Sequence, residues 1–150
     1  MKKTFLSLFF LGFGFMIHAQ LNPVSWSFNA EKIADKTYEV KMTATLQNKW
    51  HIYSQNQPDD VDIVPTTFTV NPNPLIVIDG NIAELGKMEK FTDKQLGVTL
   101  YQYSKTVTFV QKIKLKANVK TSFSGSVEYQ TCDDEKCLPP KTIRFSVGIK

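Results

Sequence analysis

Apolar residues recur at every second position through most of this sequence, and that period fixes what the chain can become. Val24, Trp26 and Phe28 alternate with Ser25 and Ser27, and Tyr38, Val40, Met42, Ala44 and Leu46 alternate with polar or charged partners. Val107, Phe109, Ile113, Leu115, Ala117 and Val119 share one parity, broken by Gln111. Val127 and Tyr129 follow, Ile143, Phe145, Val147 and Ile149 close the chain, and Phe68–Val70 and Leu75–Ile78 read as shorter strands. Successive side chains of a strand point to opposite faces, so each run has one apolar and one wet face, as antiparallel sheets require. Turn signals separate the runs at Gln57–Asp60, at Asn71-Pro72-Asn73-Pro74 and at Asp79-Gly80-Asn81. Roughly eight strands in about 130 residues predict an all-β, immunoglobulin-like two-sheet antiparallel β-sandwich. A short helical turn is expected around Ile82 to Met88. The segment Lys87 to Tyr103 reads as a less regular loop, with Phe91 either exposed on it or tucked into the core.

The first residues stand outside that pattern. Lys2 and Lys3 precede Phe5–Ile17, which is apolar apart from Ser7 and its glycines, and Ala19 supplies a small residue at the cut. This is the layout of a cleaved secretory signal over residues 1–19, followed by one domain over residues 20–150. The apolar run falls short of the about 20 residues that span a bilayer, so stable membrane insertion is not expected. Losing Lys2 and Lys3 lowers the formal charge from +4 to +2. The remaining lysines are scattered, and Lys112, Lys114 and Lys116 alternate with Ile113 and Leu115 as the wet face of a strand. No nucleic-acid surface is expected.

Export places the cysteines in an oxidising compartment, where an even pair is normally bonded. The chain has two, Cys132 and Cys137, either side of the polar turn Asp133-Asp134-Glu135-Lys136. Strand-like sequence flanks them, so the sulfurs lie across the neck of a hairpin and can bond to each other. A disulfide closing so short a loop adds only about 2 kcal/mol in the chain-entropy model. One such bond cannot hold the whole chain, so the core must. An exposed hairpin bond is also among the more reducible kinds. Acidic neighbours disfavour a thiolate at Cys132, while Lys136 favours one at Cys137. The pair is therefore asymmetric, with Cys137 the more reactive sulfur.

Other chemistries find little support. Zinc takes about four ligands; beyond the leader the chain offers two cysteines and His51. No metal and no cofactor is expected. Trp50 and Ile52 fall on one strand face and His51 and Tyr53 on the other, so His51 reads first as a surface histidine. Cysteine–histidine nucleophilic catalysis would need His51 beside Cys137 together with an orienting group. No phosphate loop, nucleophile elbow or calcium loop is present.

The run Val127-Glu128-Tyr129-Gln130-Thr131-Cys132, continued by Cys137-Leu138-Pro139-Pro140, resembles the active hairpin of the N-terminal (alpha) periplasmic domain of the thiol:disulfide interchange protein DsbD. Lys49-Trp50-His51-Ile52-Tyr53 resembles the aromatic strand beside the redox pair of that family, and Glu89-Lys90-Phe91 resembles its cap loop. The resemblance covers about Pro23 to Ile149, essentially the whole mature chain. It implies an immunoglobulin-like fold with the disulfide at one end and thiol:disulfide interchange of the protein-disulfide reductase type. Cys137 matches the cysteine that forms mixed disulfides and Cys132 its resolving partner. Phe91 matches the cap, and Tyr53, His51 and Tyr129 are expected to line the site, although the family often has tyrosine where this chain has His51. The best-known members have five residues between the cysteines, and this chain has four. The sequence carries neither the membrane segment nor the thioredoxin-like domain of full-length DsbD, so a separate membrane thiol reductase is the expected electron donor. Exported thioredoxin-like or disulfide isomerase proteins are the expected acceptors, in the periplasm. The competing reading is a secreted immunoglobulin-like binding module whose hairpin disulfide is purely structural.

Overall fold

The computed structural model describes residues 21–59, 61–93 and 97–150. The leader expected over residues 1–19 and the turn residue Asp60 lie outside them. The described chain forms β1 (Val24–Ala34), β2 (Thr37–Leu46), β3 (His51–Tyr53), β4 (Thr67–Val70), β5 (Ile76–Asp93), β6 (Val98–Leu115), β7 (Thr121–Tyr129), β8 (Thr131–Cys132) and β9 (Lys141–Ile149). One sheet has six strands, ordered β1-β2-β6-β3-β8 with β5 also on β6; the other is ordered β4-β7-β9. Every pairing is antiparallel. The fold is the expected immunoglobulin-like sandwich.

The alternating residues meet where period two sends them. Met42 faces Phe109 and Ala44 faces Val107 across the β2–β6 ladder, and all four are fully buried. Phe123, Val127 and Ile149 close the core from the smaller sheet. An aromatic cluster joins the layers in place of an inter-sheet disulfide. Trp26 of β1 stacks on Phe109 at 5.9 Å, and Phe68 of β4 tilts against Phe109 at 5.0 Å. Trp26 also meets Tyr129 of β7 at 5.4 Å. Such offset contacts add about 0.5–1.5 kcal/mol each beyond the area they bury.

Three expectations fail, all along β5. Ile82 to Met88 is strand, with Ala83–Gly86 paired to Val107–Val110, and no helical turn forms there. The signal at Asp79-Gly80-Asn81 is a bulge, where the register shifts between Asp79 and Ala83 and Gly80 takes a φ of +76°. A second shift falls between Gly86 and Met88. Both shifts keep the inward parity, but β5 pairs only with β6 and leaves Val77, Ile78, Leu85, Met88 and Phe91 exposed, so one-sided burial does not mark its period of two. Of the segment Lys87 to Tyr103, Lys94, Gln95 and Leu96 lie outside the described residues, and Met88–Asp93 pairs with Val98–Tyr103 where a loose loop was expected. At the other end β6 stops at Leu115, so Ala117 and Val119 are exposed despite their parity.

The first bulge also accounts for Gln111. Its buried side chain donates from Nε2 to the Gly80 carbonyl at 3.1 Å and to the Lys112 carbonyl at 2.9 Å. The Gln111 amide is buried and would cost about 1–3 kcal/mol without partners, and the bulge supplies one of them.

Gly125 marks the closest approach in the smaller sheet. A Cβ there would run into the Thr69 carbonyl oxygen and the backbone of Val70, its register partner on β4. Gly125→Ala is therefore expected to lower stability by about 1–3 kcal/mol through forced displacement of β4. Gly148→Ala, with open space around it, should stay within about 0.5 kcal/mol. Urea denaturation of the two variants checks this, and equal midpoints would refute the close-approach argument.

Candidate active site

The larger sheet is buried on both faces at one end. Trp50 and Ile52 enter the main core. By strand alternation their neighbour Tyr53 points the other way, into a separate cluster with Leu100 and Cys132. Val61, Ile63 and Val98 pack on that second cluster. The loop after β3 is tied down over it. Ser54 N–H donates to the Tyr101 carbonyl at 2.9 Å, and Thr66 Oγ1 donates to the Tyr53 carbonyl at 2.6 Å. Val64 N–H donates to Gln130 Oε1 at 3.1 Å. From β5, the Glu84 carboxylate accepts from Ser54 Oγ, Gln55 N–H and the Tyr103 hydroxyl, each at 2.7 Å. Burial, and then the Glu84 bond, hold the Tyr103 hydroxyl far above its ordinary range.

Cys132 and Cys137 form a disulfide across an antiparallel bridge, with Cα atoms 4.0 Å apart. Asp133 shapes the turn between them. Its Oδ1 accepts from Glu135 N–H at 2.9 Å and from Lys136 N–H at 2.8 Å, while its own N–H donates to the Lys136 carbonyl at 2.9 Å. The two bonds to its carboxylate pull that group below the usual range. Leu138 N–H closes the neck on the Thr131 carbonyl at 2.8 Å.

The two sulfurs live in different surroundings. Cys132 is 1% exposed, and Tyr53 donates its hydroxyl to Cys132 Sγ at 3.4 Å. Cys137 is exposed. Burial pushes the Tyr53 hydroxyl up, so it keeps its proton as a donor.

His51 is not the free surface residue its parity first implied. It is half-buried and pairs directly with Cys132 of β8 on one side and Ser104 of β6 on the other. Its ring stands edge-on to Tyr53 at 5.6 Å. Burial draws the imidazole below its ordinary value, against the opposing pull of Asp134, Glu89 and Asp133.

An open cleft of about 430 Å³ brings His51, Tyr53, Phe91, Gln102, Cys132 and Cys137 together. Phe91 stands on β5 at the cleft, 52% exposed, which removes it from the core. Tyr129 does not join them. It faces between the sheets, 2% exposed against Trp26, and the chain crosses to the other sheet before reaching Cys132. Two features escape a reading of the sequence. Gln102 lines the cleft because it is registered between Tyr53 and Glu89, and next to it, outside the lining, Ser104 Oγ donates to Glu89 Oε2 at 2.8 Å. Neither carries a local signal, since each depends on the register of β6 against two other strands.

The sequence has no significant match among curated proteins. A chain in a structure of the complex between the DsbD N-terminal and PilB N-terminal domains from Neisseria meningitidis aligns with a TM-score of 0.52 and 17% identity, over 85% of this chain and 87% of that one. The N-terminal periplasmic domain of ScsB from Proteus mirabilis aligns with a TM-score of 0.51 and 13% identity, over 84% of this chain and 44% of that one. At such identities the likeness is one of fold. The family model for the N-terminal part of the thiol:disulfide interchange protein DsbD matches residues 18–148. With a disulfide pair in the matching hairpin, the chain belongs to the DsbD N-terminal family, whose chemistry is thiol–disulfide interchange.

Proposed function

We propose that this protein is an exported redox relay that passes reducing equivalents between a membrane thiol reductase and thioredoxin-like or disulfide isomerase proteins of the periplasm. The observation that carries the reading is the unequal placement of the two sulfurs: Cys137 is open and Cys132 is enclosed. A donor thiolate attacks Cys137 Sγ, the Cys132–Cys137 bond breaks, and Cys132 leaves with the electron pair and takes up a proton. The donor's second thiol then displaces Cys137 as a second thiolate, leaving the donor oxidised and the pair reduced by two electrons. Reduced Cys137 next attacks an acceptor disulfide, and Cys132 resolves the mixed disulfide and regenerates the starting bond. Phe91 acts as the cap that limits access to Cys137. The complex of a DsbD N-terminal domain with a PilB N-terminal domain in Neisseria meningitidis supports a protein partner for a domain of this family.

Two outcomes are expected. The Cys132–Cys137 couple should equilibrate with a thioredoxin-like redox buffer at a potential above about −300 mV, and Cys132→Ser should trap a mixed disulfide through Cys137. A couple that stays oxidised below that value, with no adduct from either single-cysteine variant, would leave the structural staple as the better reading. Phe91→Ala should speed reduction by a small dithiol several-fold. Because the ring is half-exposed, stability should change by no more than about 0.5 kcal/mol; an unchanged reduction rate would remove Phe91 as a cap.

A further inference from the structure

Cys132 is enclosed, so its thiol resists ionisation in the reduced protein. Asp133 and Asp134 beside it make a thiolate costlier still. Resolution of a mixed disulfide nonetheless requires that thiolate. A proton acceptor must therefore face Cys132, and the groups around it can be taken in turn. Tyr53 is a donor to Cys132 Sγ and retains its proton. Lys136 of the hairpin is a cation. Asp133 is spent on two backbone N–H groups, and Glu89 of β5 accepts from Ser104. Carboxylates as a class take up protons only in acid. His51 is the remaining group, and it is the cross-strand partner of Cys132. Directly facing residues of an antiparallel pair have Cβ atoms about 4.5–5.5 Å apart, so an imidazole there reaches the sulfur directly or through one water.

We propose that His51 is the proton acceptor for Cys132 when that thiol resolves a mixed disulfide held on Cys137. The proposal rests on the relay reading for the order of the two sulfurs, but not on the identity of any protein partner. The step balances. The proton passes from Cys132 Sγ to the neutral imidazole, and the thiolate attacks Cys137 Sγ. The Cys132–Cys137 bond forms as the bond from Cys137 to the partner sulfur breaks. The partner sulfur leaves as a thiolate carrying the electron pair, and the imidazolium returns its proton to that thiolate or to water. The cysteine pair is oxidised by two electrons and the partner disulfide reduced. Asp134, Glu89 and Asp133, which oppose a thiolate at Cys132, all favour the imidazolium. They therefore assist the transfer they would otherwise hinder.

Burial sets the direction of the pH dependence. His51 titrates below its ordinary value of 6.5, so the imidazole is neutral and able to accept at neutral pH. As pH falls through its folded pKa it is already protonated, and resolution slows.

The test uses the reduced full-length mature protein and 5,5′-dithiobis(2-nitrobenzoate) as the disulfide probe. The first release of thionitrobenzoate reports attack by Cys137, and the second reports attack by Cys132. His51→Gln is expected to slow the second release about a hundredfold at neutral pH and leave the first nearly unchanged. The wild-type second phase should show an inflection below pH 6.5 that the variant lacks. Equal second-phase rates in the two proteins would overturn the proposal. So would a wild-type second phase without that inflection, which decides the matter even if His51→Gln folds poorly. Because the probe is a small molecule, this result is independent of whether protein partners exchange with the site, which is where the relay reading itself would fail.

Discussion

The backbone ladder of β6 is the constraint on which the rest depends. Along one edge it carries β5 from end to end; along the other it carries β2 and then β3. The changeover falls at Lys105, whose φ of +67° lies between the last β2 partner, Thr106, and the first β3 partner, Ser104. Buried backbone groups must be paired, so this one strand dictates where β3 lies. With β3 go His51, Tyr53 and, through β8, Cys132. The site is set by main-chain register before any side chain chooses a partner.

That register produces a sheet with two different apolar faces at one end. One face belongs to the sandwich core, and the other holds Tyr53, Leu100 and Cys132 under the loop after β3. Glu84 links the two. It accepts from Tyr103, which points into the core, and from Ser54 and Gln55, which begin the covering loop. The small cluster is thus anchored to the rigid part of the fold by charge-assisted bonds, which run about twice as strong as neutral ones.

Much of this was legible in the sequence, and the failures share a cause. Unbroken period-two runs such as Tyr38–Leu46 give strand, face and burial together, because alternation and one-sided burial are the same fact. The opposite orientation of Ile52 and Tyr53 follows from the same rule. Along β5 the register slips twice and apolar residues such as Ile78, Leu85 and Phe91 are exposed, so a long paired strand reads as a turn, a helical segment and a loop. Gln102 and the pairing of His51 with Cys132 were out of reach for another reason. They are properties of strands brought together from distant parts of the chain, and nothing local encodes that register. Tyr129 shows the converse: near Cys132 in sequence, it is taken from the site by a change of sheet at Gln130.

The division into two clusters also bears on how a redox cycle is survived. A disulfide in so short a loop contributes only about 2 kcal/mol through chain entropy, and the main core is assembled without either cysteine. Opening the bond therefore removes little from the fold. The position of Cys132 beneath Tyr53 and opposite His51 follows from the pairing of β8 with β3, which does not involve the sulfur–sulfur bond. A site that must be made and broken repeatedly is best placed where the bond it breaks is not the bond that holds it in place.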